Sequence, residues 1–228
     1  CVDLIIKNKI SRVVIASKDP NPLVNEKSIN KLKDNGIEVT TGICEDEAIE
    51  LNKSFFYKFS HRKPYLRLKF GVSLDGKIAN QRKESKWITS IKSRKFVQSQ
   101  RAEVNAILTT SNTIIEDNPY MNIRDNKITE LIANQPALII LDSKLRVPRN
   151  SNIFKTKNRL VIIITDIKNT TNSPIKTYKD NVIIKYVPTV NNKISLRDVY
   201  DIANTYNLND ILVECGGTLT KSLLEENA

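Results

Sequence analysis

The chain has 228 residues, 40% of them hydrophobic and 27% charged, enough for one large or two small domains with a real core. Its longest apolar runs, such as Leu160 to Ile164, fall far short of the roughly 18 residues that a membrane span needs. A net charge of +11 favours anionic partners, but the charges are spread out and no basic stripe is interleaved with aromatics, so a nucleic-acid surface is set aside.

The chain opens at Cys1 and its single methionine is Met121, so the sequence reads as a fragment. A helical start at Val2 to Lys9 leads to a strand at Arg12 to Ser17 and a turn at Asp19-Pro20-Asn21-Pro22. A helix at Ser28 to Asn35 and a strand at Ile37 to Gly42 follow. Glu45 to Phe59 reads as one amphipathic helix, with Ala48, Leu51, Phe55 and Phe59 at helical spacing. The basic turn His61-Arg62-Lys63-Pro64 marks a boundary between segments 1–62 and 63–228. Beyond it the expected strands are Tyr65 to Val72, Val104 to Thr109, Ala137 to Leu141, Leu160 to Thr165, Val182 to Val187 and Asp210 to Glu214. Helices are expected at Ser93 to Arg101 and Leu196 to Tyr206, and Leu219 to Ala228 reads as a helix cut in mid-course. Strands separated by helices favour a largely parallel α/β sheet covered on both faces. Asp166 to Asp180, rich in Lys, Asn and Thr, reads as a solvated loop.

Three widely spaced cysteines, Cys1, Cys44 and Cys215, imply no disulfide framework and a reducing, cytoplasmic setting. Cys44 and Cys215 read as small buried or half-buried residues.

Three clusters carry chemistry. In Ile211-Leu212-Val213-Glu214-Cys215-Gly216-Gly217-Thr218-Leu219 an apolar strand runs through two glycines into a helix. Paired glycines let backbone approach a ligand, and the free amides of a helix start favour phosphate; Thr218, Thr220 and Ser222 add hydroxyls. The spacing is not the three-glycine dinucleotide fingerprint, and a Gly-Gly pair alone is often only a turn. In the second cluster, Leu68 to Ala79 with Ser85 to Thr89, Asp75-Gly76 reads as a tight turn and Trp87 as a core anchor on composition. The third cluster, Ala106 to Pro119 with Arg124 beyond, is a buried strand ending in Thr109, Thr110, Ser111, Asn112 and Thr113. Its polar groups lie where open α/β sheets bind ligands, or else form a capped loop.

Together these motifs resemble the bifunctional riboflavin-biosynthesis deaminase and reductase family over essentially the whole chain. The resemblance implies that residues 63–228 form most of a reductase domain with a dihydrofolate-reductase-like fold, its closing strands missing. Residues 1–62 would be the trailing part of a zinc-dependent, cytidine-deaminase-like αβα domain. The implied activity is NADPH-dependent reduction of 5-amino-6-(5-phosphoribosylamino)uracil. By resemblance, Gly71, Trp87, Thr113, Asp117 and Ser143 contact the cofactor, with the run Gly216, Gly217, Thr218, Leu219, Thr220, Lys221 and Ser222. Lys69, Ser85, Arg101, Met121, Arg124 and Glu214 line the substrate side, and Lys69 or Asp117 assists proton transfer. Ser143 with Lys144 or Arg146 is a candidate receiver for the cofactor's 2′-phosphate. The family is typically a homodimer or larger.

Cys1 matches the last zinc-binding cysteine of the deaminase motif, whose other ligands and catalytic Glu are expected upstream. One thiolate cannot hold zinc, and His61 in the boundary turn is a weak candidate, so this stretch is expected to lack deaminase activity. The family usually has glycines in the loop where this chain has Glu26 and Ser28. Two other readings stand beside this one. One is a stand-alone dihydrofolate-reductase-like oxidoreductase acting on another pterin or pyrimidine, which the segment before Lys63 argues against. The other is a non-catalytic phosphate- or nucleic-acid-binding module, which has no use for Lys69, Ser85, Thr113, Asp117, Arg124 and Glu214 together.

Overall fold

A computed structural model describes residues 1–81, 87–170 and 178–226. The chain divides into two compact units, Cys1–Tyr65 and Leu66–Ala228.

In the first unit, β1 (Arg12–Ile15) pairs in parallel with β2 (Glu38–Thr41), and α1 (Val2–Lys7) and α2 (Lys27–Asp34) accompany them. Ile29, Leu32 and Ile37 are its buried hydrophobic residues among those described. The single helix expected over 45–59 is two helices, α3 (Glu45–Leu51) and α4 (Lys53–His61). Asn52 breaks them: its side-chain amide donates to the Ala48 carbonyl at 3.0 Å and closes the first helix. Asn competes with the backbone in this way wherever it sits in a helix. Cys44, expected to be buried or half-buried, is exposed and left-handed at φ 57°, turning the chain into α3.

In the second unit, six strands among the described residues form one sheet: β3 (Tyr65–Leu68), β4 (Ala106–Thr110), β5 (Ala137–Leu141), β6 (Val161–Asp166), β7 (Val182–Val187) and β10 (Asp210–Val213). Their order is β3-β10-β4-β5-β6-β7, and β10 through β7 run parallel. β3 ends four residues before the expected Val72, although the Lys69 amide still donates to the Val213 carbonyl at 3.0 Å.

Alternation along the central strands builds two cores. Ala106, Leu108, Ile139, Ile162 and Ile164 face one side, where α8 (Leu196–Thr205) lays down Leu196, Val199, Tyr200 and Ala203, and α9 (Gly217–Glu225) adds Leu219 and Leu223. Ile107, Leu138, Ile140, Val161 and Ile163 face the other, covered by Ile114 of α6 (Ser111–Asp117) and by Ile153 and Phe154 of a short 3-10 turn.

The helix α6 replaces the polar loop that Thr110 to Thr113 had left open. The Thr110 hydroxyl accepts from the Thr113 amide as its cap, and Ile114 is fully buried, so one apolar anchor and one cap hold a short helix in a polar stretch. α5 (Ile91–Ala102) and α7 (Asn126–Thr129) flank it in sequence. A small antiparallel hairpin, β8 (Thr189–Val190) with β9 (Lys193–Ile194), turns through Asn191 and Asn192, both left-handed. That is the geometry Asn tolerates in a two-residue hairpin loop. α9 closes at Glu225, short of the Ala228 expected, with the Glu226 amide donating to the Ser222 carbonyl. No helix among the described residues is long and apolar enough to cross a membrane.

Ile162 sits fully buried in mid-sheet, so Ile162→Ala is expected to lower unfolding free energy by about 2–5 kcal/mol in urea titrations. Leu131→Ala, at a position 85% exposed, should change it by no more than about 0.5 kcal/mol.

Candidate active site

β10 carries an acid at each end, and both are buried. At its start Asp210 accepts from Arg67 Nε at 2.9 Å and Nη2 at 2.7 Å, a bidentate pair, while Arg67 Nη1 reaches Glu103 at 3.1 Å. Just past its end Glu214 accepts from Arg101 Nε at 2.6 Å and Nη2 at 3.0 Å, and lies 3.0 Å from Lys69 Nζ. Arg67 and Lys69 are two residues apart along the edge strand and its exit, which places them on one face. Burial by itself raises a carboxyl pKa, but the hydrogen bonds and charges of Arg101 and Lys69 outweigh it and hold Glu214 down at about 2. Glu214 is therefore a fixed negative charge at neutral pH, an anchor for two cations and not a proton donor.

Arg101 is 7% exposed, and its third nitrogen, Nη1, donates to the Asn122 carbonyl at 2.7 Å. It thus ties α5 to the segment between α6 and α7. That segment is left-handed at Asn118 (φ 41°) and Met121 (φ 47°), and Met121 and Ile123 are buried. Side chains supply much of its hydrogen bonding. The Gln135 amide brackets Ile123, accepting from its N–H at 2.7 Å and donating to its carbonyl at 3.1 Å, and Gln98 accepts from the Arg124 amide at 2.7 Å. Arg159 Nη1 donates to the Tyr120 carbonyl at 2.9 Å. The outcome is an exposed Arg124 whose guanidinium no described side chain holds, with its pKa lowered by desolvation and then by the charge of Arg101.

Sequence reasoning singled out neither Gln98, Gln135 nor Arg159. Arg159 is 3% exposed, and desolvation first, then the charge of Arg101, pulls it down to about 9, so it remains a cation at neutral pH. Nothing local marks it, since it precedes an apolar strand as any surface arginine would.

Beside this cluster opens a cavity of about 580 Å³, lined by the end of β4 and start of α6, by Ser143 and Arg146 after β5, by the β8–β9 hairpin and by the start of α9. Of the expected cofactor residues Thr113, Ser143, Gly216, Thr218, Leu219 and Ser222 line it; Gly71, Trp87 and Asp117 do not, nor do Gly217, Thr220 and Lys221, although these three belong to α9. Arg146 donates to Ser111 Oγ at 3.1 Å and Asn112 Oδ1 at 2.6 Å on the cavity wall, whereas Lys144 is not part of the lining.

The starts of α5, α6, α7 and α8 are capped by the side chains of Ser90, Thr110, Asp125 and Ser195. α9 begins at Gly216 with no side-chain cap, and a Cβ placed on Gly216 or Gly217 would meet no atom within 4 Å. Its first-turn amides and its positive dipole end thus remain available to an external anion beside an open cavity. The hydroxyls, amides and Arg146 around it suit a dinucleotide with phosphates.

Of the remaining expected residues, Trp87 is no core anchor: it is 70% exposed, with the Arg94 guanidinium 4.2 Å from its ring centroid. A cation stacked on an indole face needs no burial. Gly71 lies 3.5 Å, through a hypothetical Cβ, from the Thr89 methyl, and Gly76 makes the expected tight turn at φ 77°. Asp117 ends α6. Ser85 lies outside the described residues. Cys215 is half-buried, its sulfur 3.6 Å from the Thr220 hydroxyl, and burial pushes its thiol pKa up. In the first unit Cys1 is exposed, and His61 stacks on Tyr57 at 4.2 Å. Among the described residues no three His, Cys, Asp or Glu side chains gather to hold a metal.

Comparison with known proteins bears on this geometry. Residues 64–228 match the family model described as the RibD C-terminal domain. The chain is 37% identical over 226 residues to the riboflavin biosynthesis protein RibD of Aquifex aeolicus, covering 99% of this chain and 61% of that protein. RibD of Acinetobacter baumannii superposes with TM-score 0.84 at 34% identity, over 100% of this chain and 61% of that one. A Thermotoga maritima diaminohydroxyphosphoribosylaminopyrimidine deaminase/5-amino-6-(5-phosphoribosylamino)uracil reductase superposes with TM-score 0.83 at 30% identity, over 99% and 60%. The chain thus spans about 61% of the length of the first relatives it matches. Its parallel α/β unit has the dihydrofolate-reductase-like fold expected from the sequence.

Glu214→Gln leaves Arg101 buried without its counter-charge, and should destabilise the protein by about 3–5 kcal/mol. Because the folded pKa of Glu214 lies below its unfolded value, the stability it contributes is present above the ordinary carboxyl range. It is lost as pH falls toward about 2. Urea unfolding between pH 7 and pH 2 should show this loss in the parent and a flatter profile in the variant.

Proposed function

The chain belongs to the family of RibD C-terminal domains, and from that premise we propose that residues 63–228 form the NADPH-dependent reductase of riboflavin biosynthesis, acting on 5-amino-6-(5-phosphoribosylamino)uracil. Residues 1–62 are, in this reading, the trailing part of a deaminase domain whose zinc ligands other than Cys1 lie elsewhere in a larger protein. The observation that carries the proposal is the uncapped Gly216-Gly217 helix start opening on the cavity, with the Glu214 cluster beside it at the end of the same strand.

When bound, the reduced nicotinamide supplies hydride. The amides at the start of α9 and the hydroxyls of Thr218 and Ser222 hold the cofactor phosphates. Ser143 and Arg146 receive the 2′-phosphate that distinguishes NADPH from NADH, Arg146 being held on the cavity wall by Ser111 and Asn112. On the substrate side Arg124 takes the phosphate dianion through charge-assisted hydrogen bonds. Arg101, its donors engaged by Glu214 and Asn122, fixes the segment that presents Arg124.

The substrate's ribosylamine opens as its C1′–O4′ bond breaks to give a protonated imine, the nitrogen keeping its hydrogen and the ring oxygen leaving with the electron pair. C1′ then takes the hydride, and the ring oxygen takes a proton. Glu214, held ionised, has no proton to give, which leaves the Lys69 ammonium as the donor, with Asp117 the alternative. Orientation and charge supply most of the acceleration.

In the full chain, Lys69→Ala should lower turnover by roughly 10²–10⁴-fold, while its thermal midpoint falls less than that of Glu214→Gln because Arg101 still holds Glu214; an equal loss of turnover from Asp117→Ala alone would transfer the proton step to Asp117. Trp87 is the only tryptophan, so its emission gives a direct titration. NADPH should change it at lower concentration than NADH, and Arg146→Ala should erase most of that difference. No preference for NADPH in the parent would overturn the cofactor assignment.

A further inference from the structure

The segment from Asn118 to Arg124 carries two residues of the proposed substrate side, Met121 and Arg124, and lies outside the helices on either side of it. Left-handed backbone at Met121 is unfavourable for a residue with a Cβ and no local polar group to offset it, so something outside the segment must hold it. Arg101 grips the Asn122 carbonyl from α5. Arg159, immediately before β6, grips the carbonyl of Tyr120, the peptide that leads into Met121.

Arg159 is an odd choice for packing alone. Its side chain is buried, and Nε and Nη2 have no hydrogen-bond partner among the described residues. Burying a guanidinium with two donor groups unmade is costly, and a well-packed apolar side chain in the same place is often neutral or stabilising. The compensation here is mixed, since Glu214 attracts Arg159 and Arg101 repels it. What the charge adds, and an apolar side chain lacks, is the Nη1 donor on the Tyr120 carbonyl.

We propose that Arg159 is a positioning residue for the phosphorylated substrate: by holding the Tyr120 carbonyl it sets the left-handed turn at Met121 and so the direction in which Arg124 is presented. The inference rests on the reading of Arg124 as the phosphate contact. Arg159 itself does not touch substrate. The cofactor cavity is built from other segments, so the effect is confined to one ligand.

The test is steady-state kinetics of the full chain with 5-amino-6-(5-phosphoribosylamino)uracil and NADPH, comparing the parent, Arg159→Met and Arg159→Lys, each with a thermal unfolding curve. Losing a hydrogen bond from a charged donor should raise the KM for the phosphorylated substrate about tenfold in Arg159→Met, with the KM for NADPH unchanged. Arg159→Lys keeps a cation and a single donor and should fall between the two. An unchanged substrate KM in Arg159→Met overturns the proposal, as does a parallel rise in both KM values with a lowered Tm, which would make Arg159 merely structural. If Arg159→Met does not fold, Arg159→Lys decides: a rise confined to the phosphorylated substrate supports positioning, and parent-like kinetics refute it. A parent with no turnover on this substrate would instead remove the reading of the site on which the proposal stands.

Discussion

A carboxylate kept ionised inside a protein is tolerable only while its counter-charges stay in place, and Glu214 requires this of three parts of the fold at once. β10 must deliver the acid, α5 must deliver Arg101 in bidentate geometry, and the exit of the edge strand β3 must deliver Lys69. Satisfying it fixes the azimuth of α5, because the guanidinium that grips Glu214 also grips Asn122. From there the constraint passes through the backbone to Arg124, which emerges exposed and is held by no side chain among the described residues. A single buried negative charge thus orders a positively charged rim.

The cofactor side obeys a different logic, one of omission. Among the described residues of the second unit, four α-helices close their first turn with a hydroxyl or carboxylate of their own chain, and α9 does not. Glycine at its cap keeps out the side chain that would otherwise compete with a ligand for those amides. In the proposed function, selectivity for an anion would come from what the chain withholds as much as from Arg146 and the hydroxyls that it supplies.

What could be read from the residues divides along physical lines. The runs at Ala137 to Leu141 and Leu160 to Thr165 are so apolar that burial on both faces was the only outlet, and they are the central strands. The uncapped helix start at Gly216-Gly217 was legible because glycine's lack of a side chain shows in the sequence itself. The break at Asn52 and the helix α6 were not, since each turns on one side-chain hydrogen bond or one buried isoleucine that local composition does not weigh. Trp87 misled through its size: an indole is taken for core until a guanidinium is found stacked upon it. Arg159 was invisible because its meaning lies in the distance to Tyr120, 39 positions earlier.

The strand order has a bearing on how the molecule comes into being. β10 lies between β3 and β4, yet follows them late in the chain, with 143 positions separating Arg67 from its partner Asp210. Contacts of such long range carry a large entropic barrier and slow a parallel sheet. Without β10 the inner edge of β4 would stand open to other extended chains, Arg67 would lack Asp210 and Lys69 would lack Glu214. This one four-residue strand seals that edge, sets both ion pairs and brings Gly216 to the cavity. Completion of the sheet and completion of the site thus depend on the same strand.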